Sequence, residues 1–256
     1  MALTASAIPG LPEIEPGADL AALLAGALQS PLEPGDVLVL AHKIVSKAEG
    51  RIRTLSSVEP GTRAIELAER LGKDPRHVQV VLDESREILR AERGVLISIT
   101  HHGFVCANAG VDASNVPDAD AVVVLPEDPD ASARRIRSRL RELTASDPAI
   151  LIADSFGRAW RHGQCDVTIG CAGIGPLEDW RGRHDATGRE LKATWIAVAD
   201  ELAAAADLAR AKDGSEPAVL IKGADRHVTP DDGPGARAMI RPEAEDLFRQ
   251  FAPETT

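Results

Sequence analysis

Ala149-Ile150-Leu151-Ile152-Ala153 runs straight into Asp154-Ser155-Phe156-Gly157-Arg158-Ala159-Trp160-Arg161-His162-Gly163-Gln164-Cys165-Asp166, and this junction decides how the chain is read. The apolar run predicts a short buried strand. The residues after it are polar and punctuated by Gly157 and Gly163. A turn carrying function is therefore expected at the carboxyl end of the strand, where α/β proteins place ligands. Carboxylates beside guanidinium groups suit a site that handles metal ions and anions together.

Working outward, further buried strands are expected over residues 36–41, 121–125, 167–172, 195–198 and 217–221. A β-hairpin is expected over 94–109, turning near His102-Gly103. Helical spacing appears over 19–29, over 62–71 with Gly72 as terminator, and over 131–143 behind the acidic cap 126–130. It recurs over 201–211 and in a short tail segment near 243–251. Pro9 and Pro12 make residues 8–14 a constrained loop. Helices do not follow every strand, so the expected class is α+β with a mixed sheet rather than a doubly wound sheet. The chain has 256 residues and no long linker, so one domain over 1–256 is expected.

Composition narrows the function. A net charge of -11 argues against a nucleic-acid partner, which requires a basic face. Tyrosine is absent and only 3% of residues are aromatic, too few for a base-stacking platform. Cys106, Cys165 and Cys171 form no CxxC pair, which fits a reducing cytoplasm and not a disulfide framework. No signal peptide and no membrane-spanning run is read.

Candidate chemistry lies in three places. Asp112 and Asn115, in Gly110-Val111-Asp112-Ala113-Ser114-Asn115, are on their own most simply an Asx turn. Set beside Asp154 and Ser155, Asp112 completes an all-oxygen group suited to Mg²⁺ or Mn²⁺. Lys43 and Lys47 follow the 36–41 strand and read either as solvated charges or as phosphate contacts. The chain has no GxxxxGK[ST] loop, so any nucleotide needs a different cradle. Arg158 and Arg161 read either as surface ion pairs or as a clamp for a carboxylate or phosphate. Trp160 reads as a packing anchor, and His162 as an acid–base group or an ordinary loop residue. Asp185 to Glu190 reads as a turn opening a helix, and Asp200-Glu201 as compensation of a helix dipole. Cys165 and Cys171 have no evident activating base.

Together these segments resemble the F420-0:γ-glutamyl ligase family. The resemblance rests on Gly10-Leu11-Pro12-Glu13, Gly35-Asp36-Val37 through Lys43-Ile44-Val45-Ser46-Lys47-Ala48-Glu49-Gly50, and Ala109-Gly110-Val111-Asp112-Ala113-Ser114-Asn115-Val116. It continues through Leu125-Pro126-Glu127-Asp128-Pro129-Asp130, the 154–164 signature, Ala199-Asp200-Glu201-Leu202-Ala203 and Lys222-Gly223. These blocks keep one order over residues 8–225, with 226–256 as the tail of the domain.

The resemblance implies a two-lobed ligase fold, an intertwined homodimer, and GTP-dependent addition of one or more γ-linked L-glutamates to coenzyme F420-0. It implies two Mg²⁺ or Mn²⁺ ions and K⁺. Asp112 and Asp154 would hold one divalent ion and Ser155 the other. Leu11, Pro12, Glu13, Ile14, Lys47 and Asn115 would meet GTP. His42 stands where some relatives have a nucleotide-contacting serine. The 209–216 loop should approach the nucleotide, though its residues depart from the glycine-rich pattern expected there. Lys47, Arg158 and Arg161 would serve catalysis. The chain ends without the flavin-binding domain of some relatives, so FMN is not expected. Two rival readings use the same residues: another metal-dependent phosphoryl-transfer or amide-forming enzyme, and a non-catalytic binder of the deazaflavin.

Overall fold

The computed structural model describes residues 2–114, 119–211 and 214–248. In chain order the elements are β1 (Thr4–Ala7), α1 (Leu20–Ala27), β2 (Val37–Ala41), α2 (His42–Ala48), β3 (Ile52–Thr54), α3 (Thr62–Leu71), α4 (Pro75–Asp83), β4 (Ser85–Glu92), β5 (Val95–Thr100), β6 (Val105–Ala107) and β7 (Ala121–Val123). The second half continues with α5 (Pro129–Thr144), β8 (Ala149–Arg158), β9 (Arg161–Ala172), β10 (Glu178–Asp179), β11 (Trp195–Ile196), α6 (Val198–Ala209) and β12 (Ala218–Lys222). The chain divides into two compact units, 1–50 with 126–239, and 51–125 with 240–256.

The first unit is built on a five-stranded sheet in the order β1-β12-β2-β8-β9. Only the β2–β8 pair is parallel; β1–β12, β12–β2 and β8–β9 are antiparallel. This mixed sheet bears out the α+β expectation. Val37, Leu38, Val39 and Leu40 are all fully buried, so both faces of β2 are covered and its sequence is continuously apolar. On one face α6 packs Val198, Leu202, Ala203 and Ala206 against Val37, Val39, Leu151 and Val219. The helix α5 packs on β8 and β9 and is itself packed by α1. Asp19 and Asp128 cap α1 and α5 through their side chains, each satisfying a backbone N–H that the first turn leaves unpaired.

The second unit joins a three-stranded sheet, β4-β5-β6, to a β3–β7 pair. Its core is Ala64, Ala68, Val78, Val81, Leu96, Val122 and Val124. Gly72 ends α3 in the left-handed conformation, at φ 65, as its position in the sequence predicts.

Several expectations need correction. The polar stretch after Ala153 is not a turn: β8 runs on to Arg158 and β9 starts at Arg161, so the signature forms the arm of a long hairpin. Alternation of sides lets polar residues continue a strand beyond the core, which a composition-based reading takes for a loop. The helix expected from 201 begins at Val198, because Val198 and Ala199 are already buried. Residues 185–190 form a turn without a helix, in which Asp185 accepts from the N–H groups of Thr187 and Arg189. The helix α4 and strand β4 were not anticipated. The β4 sequence SREILRAE is half-exposed throughout and so carries little apolar signal. The expected short tail helix is seen as a 3-10 helix over Glu243–Glu245, and its last residues lie outside the described ones.

Candidate functional site

Parallel pairing sets Ala41 beside Ala153. The residues that follow, His42 at the start of α2 and Asp154 on β8, are therefore brought side by side. The imidazole Nε2 of His42 lies 3.4 Å from Asp154 Oδ1, and its Nδ1 lies 3.4 Å from Ser46 Oγ. The Asp154 contact is an ion pair only when the imidazole is protonated. His42 is only 2% exposed, and its Nε2 is a buried atom without a hydrogen-bond partner.

One turn further along α2, Lys47 is buried. Its ammonium is paired with Glu13, which comes from the loop after β1. A lysine is almost never buried unless it is paired, so the solvated-charge reading of Lys47 falls. Glu13 itself is exposed, and Ile14 beside it is buried. The pair thus ties the proline-bearing loop, which includes Leu11 and Pro12, to α2.

On β8 the pairing with β9 steps by one residue between Ile152 and Ala153, leaving Ile169 as the extra residue of a bulge. Bulges of this kind re-aim side chains next to functional sites. Beyond it Ser155 stands opposite Asp166. The Ser155 hydroxyl donates to Asp166 Oδ1 at 2.5 Å, and Asp154 Oδ1 accepts the Ser155 N–H at 2.8 Å. Asp166 is 0% exposed. Its other oxygen, Oδ2, takes the guanidinium of Arg210, the residue that caps the C-terminus of α6. A cation there also suits the negative end of the helix dipole. The other end of α6 holds the same strand: the Thr168 N–H donates to Asp200 at 2.8 Å and the Thr168 hydroxyl to Ala199 O at 2.8 Å. Burial pushes the Asp200 carboxyl above its ordinary range, with the Thr168 N–H opposing. Asp200 is therefore a tether to β9 more than a dipole partner.

Past Phe156 the hairpin leaves the core. Arg158 and Arg161 are cross-strand partners at its end, and both are exposed. The Arg158 guanidinium donates to His162 O at 2.8 Å. His162 is exposed as well. Trp160 is 83% exposed, at φ 61; it is a turn residue, which corrects its reading as a packing anchor.

In the second unit, Asn108, Ala109 and Gly110 are all left-handed, with φ of 51, 53 and 72. A Cβ at Gly110 would stand 2.7 Å from the Leu125 side chain, so no other residue fits. For Ala109 the conformation costs on the order of 1–2 kcal/mol, and such strain concentrates at functional segments. Asp112 follows after Val111. Its Oδ1 accepts the Ser114 N–H at 2.6 Å, the Asx turn expected of that segment. Asn115 lies outside the described residues, as do Lys212 and Asp213 of the 209–216 loop.

Set against known proteins, residues 10–223 match the family model described as F420-0:Gamma-glutamyl ligase. The chain belongs to the F420-0:gamma-glutamyl ligase family. It is 48% identical over 239 residues to the coenzyme F420:L-glutamate ligase of Methanopyrus kandleri, covering 93% of this chain and 94% of that one. The corresponding protein of Methanothermobacter thermautotrophicus is 44% identical over 253 residues, 97% of this chain and 100% of the relative. That of Haloarcula marismortui is 43% identical, over 95% of each.

The family span includes every side chain of the site just described. A divalent cation fits the Asp154–Ser155 end of the site by donor chemistry, since both offer hard oxygen ligands. Among the described residues no group of three or more His, Cys, Asp or Glu side chains is set to hold a metal by itself. One or two carboxylates suffice for Mg²⁺ when water and substrate phosphate supply its other ligands. Burial pushes the Cys171 thiol well up, in keeping with its reading as a non-catalytic residue. Two clefts of the first unit, of about 470 and 540 Å³, lie elsewhere: one against Gly35, Asp147 and Thr229, the other against Val198, Leu202 and His227.

Reading by sequence missed Asp166 and Arg210. A hairpin register counted from the two apolar runs, 149–153 and 167–172, would have set Ser155 near Asp166. No local signal marks Arg210, whose partner is 44 residues away.

Proposed function

We propose that this protein joins L-glutamate, through its amino group, to the terminal carboxylate of coenzyme F420-0, forming γ-linked amides and cleaving GTP to GDP and phosphate. Family membership supports ligation of glutamate in F420 biosynthesis. The observation that carries the chemistry is the placing of His42 against Asp154, beside Ser155, where β2 ends alongside β8, with a buried Lys47 on the helix that His42 opens.

A carboxylate must be activated before an amine can displace its oxygen. In the proposed reaction a carboxylate oxygen of F420-0 attacks the γ-phosphorus of GTP, and the bond to the bridging oxygen breaks with its electron pair on GDP. The glutamate amine then attacks the acyl carbon. The carbon–oxygen bond breaks, inorganic phosphate leaves, and the amine gives up a proton. Lys47, held in place by Glu13, sets a positive charge against the phosphates. Leu11 to Ile14, His42 and Asn115 border the nucleotide. Arg158 and Arg161, on the exposed hairpin end, orient substrate carboxylates. Asp112 and Asp154 would hold one Mg²⁺ or Mn²⁺ ion and Ser155 a second, and these ions supply neutralisation of the triphosphate charge. A K⁺ requirement and a homodimer belong to the same reading.

Coupling of the reaction tests it. With Mn²⁺ present, GDP should appear only when F420-0 and glutamate are both supplied. Binding of F420-0 with no GDP formed under any combination would instead make the protein a deazaflavin carrier. GDP formed equally without F420-0 would point to another acceptor.

A further inference from the structure

Asp166 is the most deeply buried carboxylate of the site, yet the proposed reaction gives it no task. Its burial is complete, and both of its oxygens are engaged. One takes the Ser155 hydroxyl at 2.5 Å and the other the Arg210 guanidinium. A fully buried carboxylate is costly to keep and needs a partner of opposite charge, which Arg210 supplies from the cap of α6. The direction of the Ser155 bond is the telling feature. A serine hydroxyl has one proton and two acceptor lone pairs. With its proton committed to a carboxylate, the oxygen works toward any third group as an acceptor only. That is the state in which a hydroxyl ligates a hard cation, and a charge-assisted bond enriches the oxygen further.

We propose that Asp166 is the positioning residue for Ser155, turning its hydroxyl into a cation ligand, and that Arg210 fixes Asp166 in that role. The inference rests on the reading of Ser155 as a ligand of a divalent ion. The geometry is set by the fold. The bulge at Ile169 places Ser155 and Asp166 opposite each other, and α6 holds β9 at Thr168 with one end and at Asp166 with the other. Arg210 also lies 3.7 Å from Asp207 Oδ1, so its guanidinium bridges helix and strand.

The test is Mn²⁺ binding to the full chain in the presence of GTP, read from the electron paramagnetic resonance signal of free Mn²⁺. The variants are Asp166→Asn, Ser155→Ala, their double variant, Arg210→Lys and Ser155→Thr. Each is checked for an unchanged near-ultraviolet circular dichroism spectrum. Asp166→Asn and Ser155→Ala should each weaken Mn²⁺ by roughly tenfold to a hundredfold. The double variant should be no weaker than Ser155→Ala alone, because Asp166 acts only through the hydroxyl. Ser155→Thr should retain wild-type affinity, and Arg210→Lys should lose less than Asp166→Asn. In turnover the loss should appear in the Mn²⁺ concentration giving half activity and be recovered at high Mn²⁺.

Effects of Asp166→Asn and Ser155→Ala that multiply in the double variant would overturn the proposal, as would wild-type Mn²⁺ affinity in Asp166→Asn. If Asp166→Asn fails to fold, Arg210→Lys decides: unchanged affinity with a retained fold would count against the relay, and weakened affinity for it. Failure of the underlying reading is distinguishable, since Ser155→Ala would then bind Mn²⁺ like the wild type.

Discussion

The two ends of the β8–β9 hairpin share one run of sequence but have different surroundings. At the base, Ser155 lies opposite a fully buried Asp166, with Arg210 behind it and His42 against Asp154. At the tip, Arg158, Trp160, Arg161 and His162 are exposed, and the guanidinium of Arg158 is held by the hairpin's own backbone. The same residue types thus do opposite work. Buried charges have their partners fixed by the fold and hold geometry tightly; exposed ones cost little to keep and adapt to a ligand. In the proposed reaction, chemistry that needs atoms held to fractions of an ångström is accordingly assigned to the base, and recognition of carboxylates to the tip.

The largest expected effect follows from this division. Asp154→Asn at the base should lower the rate of glutamate ligation by on the order of a hundredfold or more while the fold is kept, measured as product formed at limiting Mn²⁺. Near wild-type ligation by a folded variant would move the chemistry away from the base.

Rigidity of the base gives the next largest. A Cβ at Gly170, on β9, would stand 2.4 Å from the Pro129 carbonyl carbon. Gly170→Ala should therefore cost about 1–3 kcal/mol in denaturant unfolding. Trp160→Gly at the tip should instead be neutral or stabilising by up to about 1 kcal/mol, because it removes a left-handed conformation from a bulky residue.

At the tip, Arg158→Ala with Arg161→Ala should raise KM for F420-0 or glutamate by roughly tenfold, the loss expected when a charged hydrogen bond to substrate goes. Stability should stay within about 0.5 kcal/mol, as for surface substitutions generally. A fall in kcat at unchanged KM would place these arginines with the base.

Two carboxylates outside the chemistry calibrate the comparison through pH. Hydrogen bonds from Arg76 hold the Asp74 carboxyl at about 2, below its ordinary 3.8. Its contribution is present above the ordinary value and fades as pH falls toward 2. Asp74→Ala should cost about 1 kcal/mol at pH 7, the worth of a helix cap, and the deficit should shrink below pH 4. Asp200 has the opposite sign, since burial raises its carboxyl. Its contribution is present at low pH and lost as pH rises through the raised value. Asp200→Asn should therefore be neutral or slightly stabilising at pH 7, with any gain disappearing in acid.

How much of this was legible in sequence varies with where the information lies. An unbroken apolar run found β2, and periodicity found α1, α3, α5 and the β5–β6 hairpin with its His102-Gly103 turn, because each of these buries one face or is closed by a residue of special backbone preference. It read 154–166 as a loop because polarity there marks the departure of β8 from the core, not the end of the strand. Asp154 and Ser155 were visible as adjacent oxygen donors. Asp166 as their support was not, since its partners are set by register and by a helix cap 44 residues away. Lys47 was visible, and its burial against Glu13 was not, because an isolated lysine in sequence looks the same whether solvated or paired.

Mass spectrometry of F420-0 after incubation with the wild-type protein, GTP, Mn²⁺ and L-glutamate tests the whole account in one step. The expected product is heavier than F420-0 by one glutamyl residue or a whole multiple, with GDP formed in matching amount, and Asp154→Asn gives neither. Unchanged F420-0 mass in the wild-type reaction, or equal ligation by folded Asp154→Asn, would contradict it.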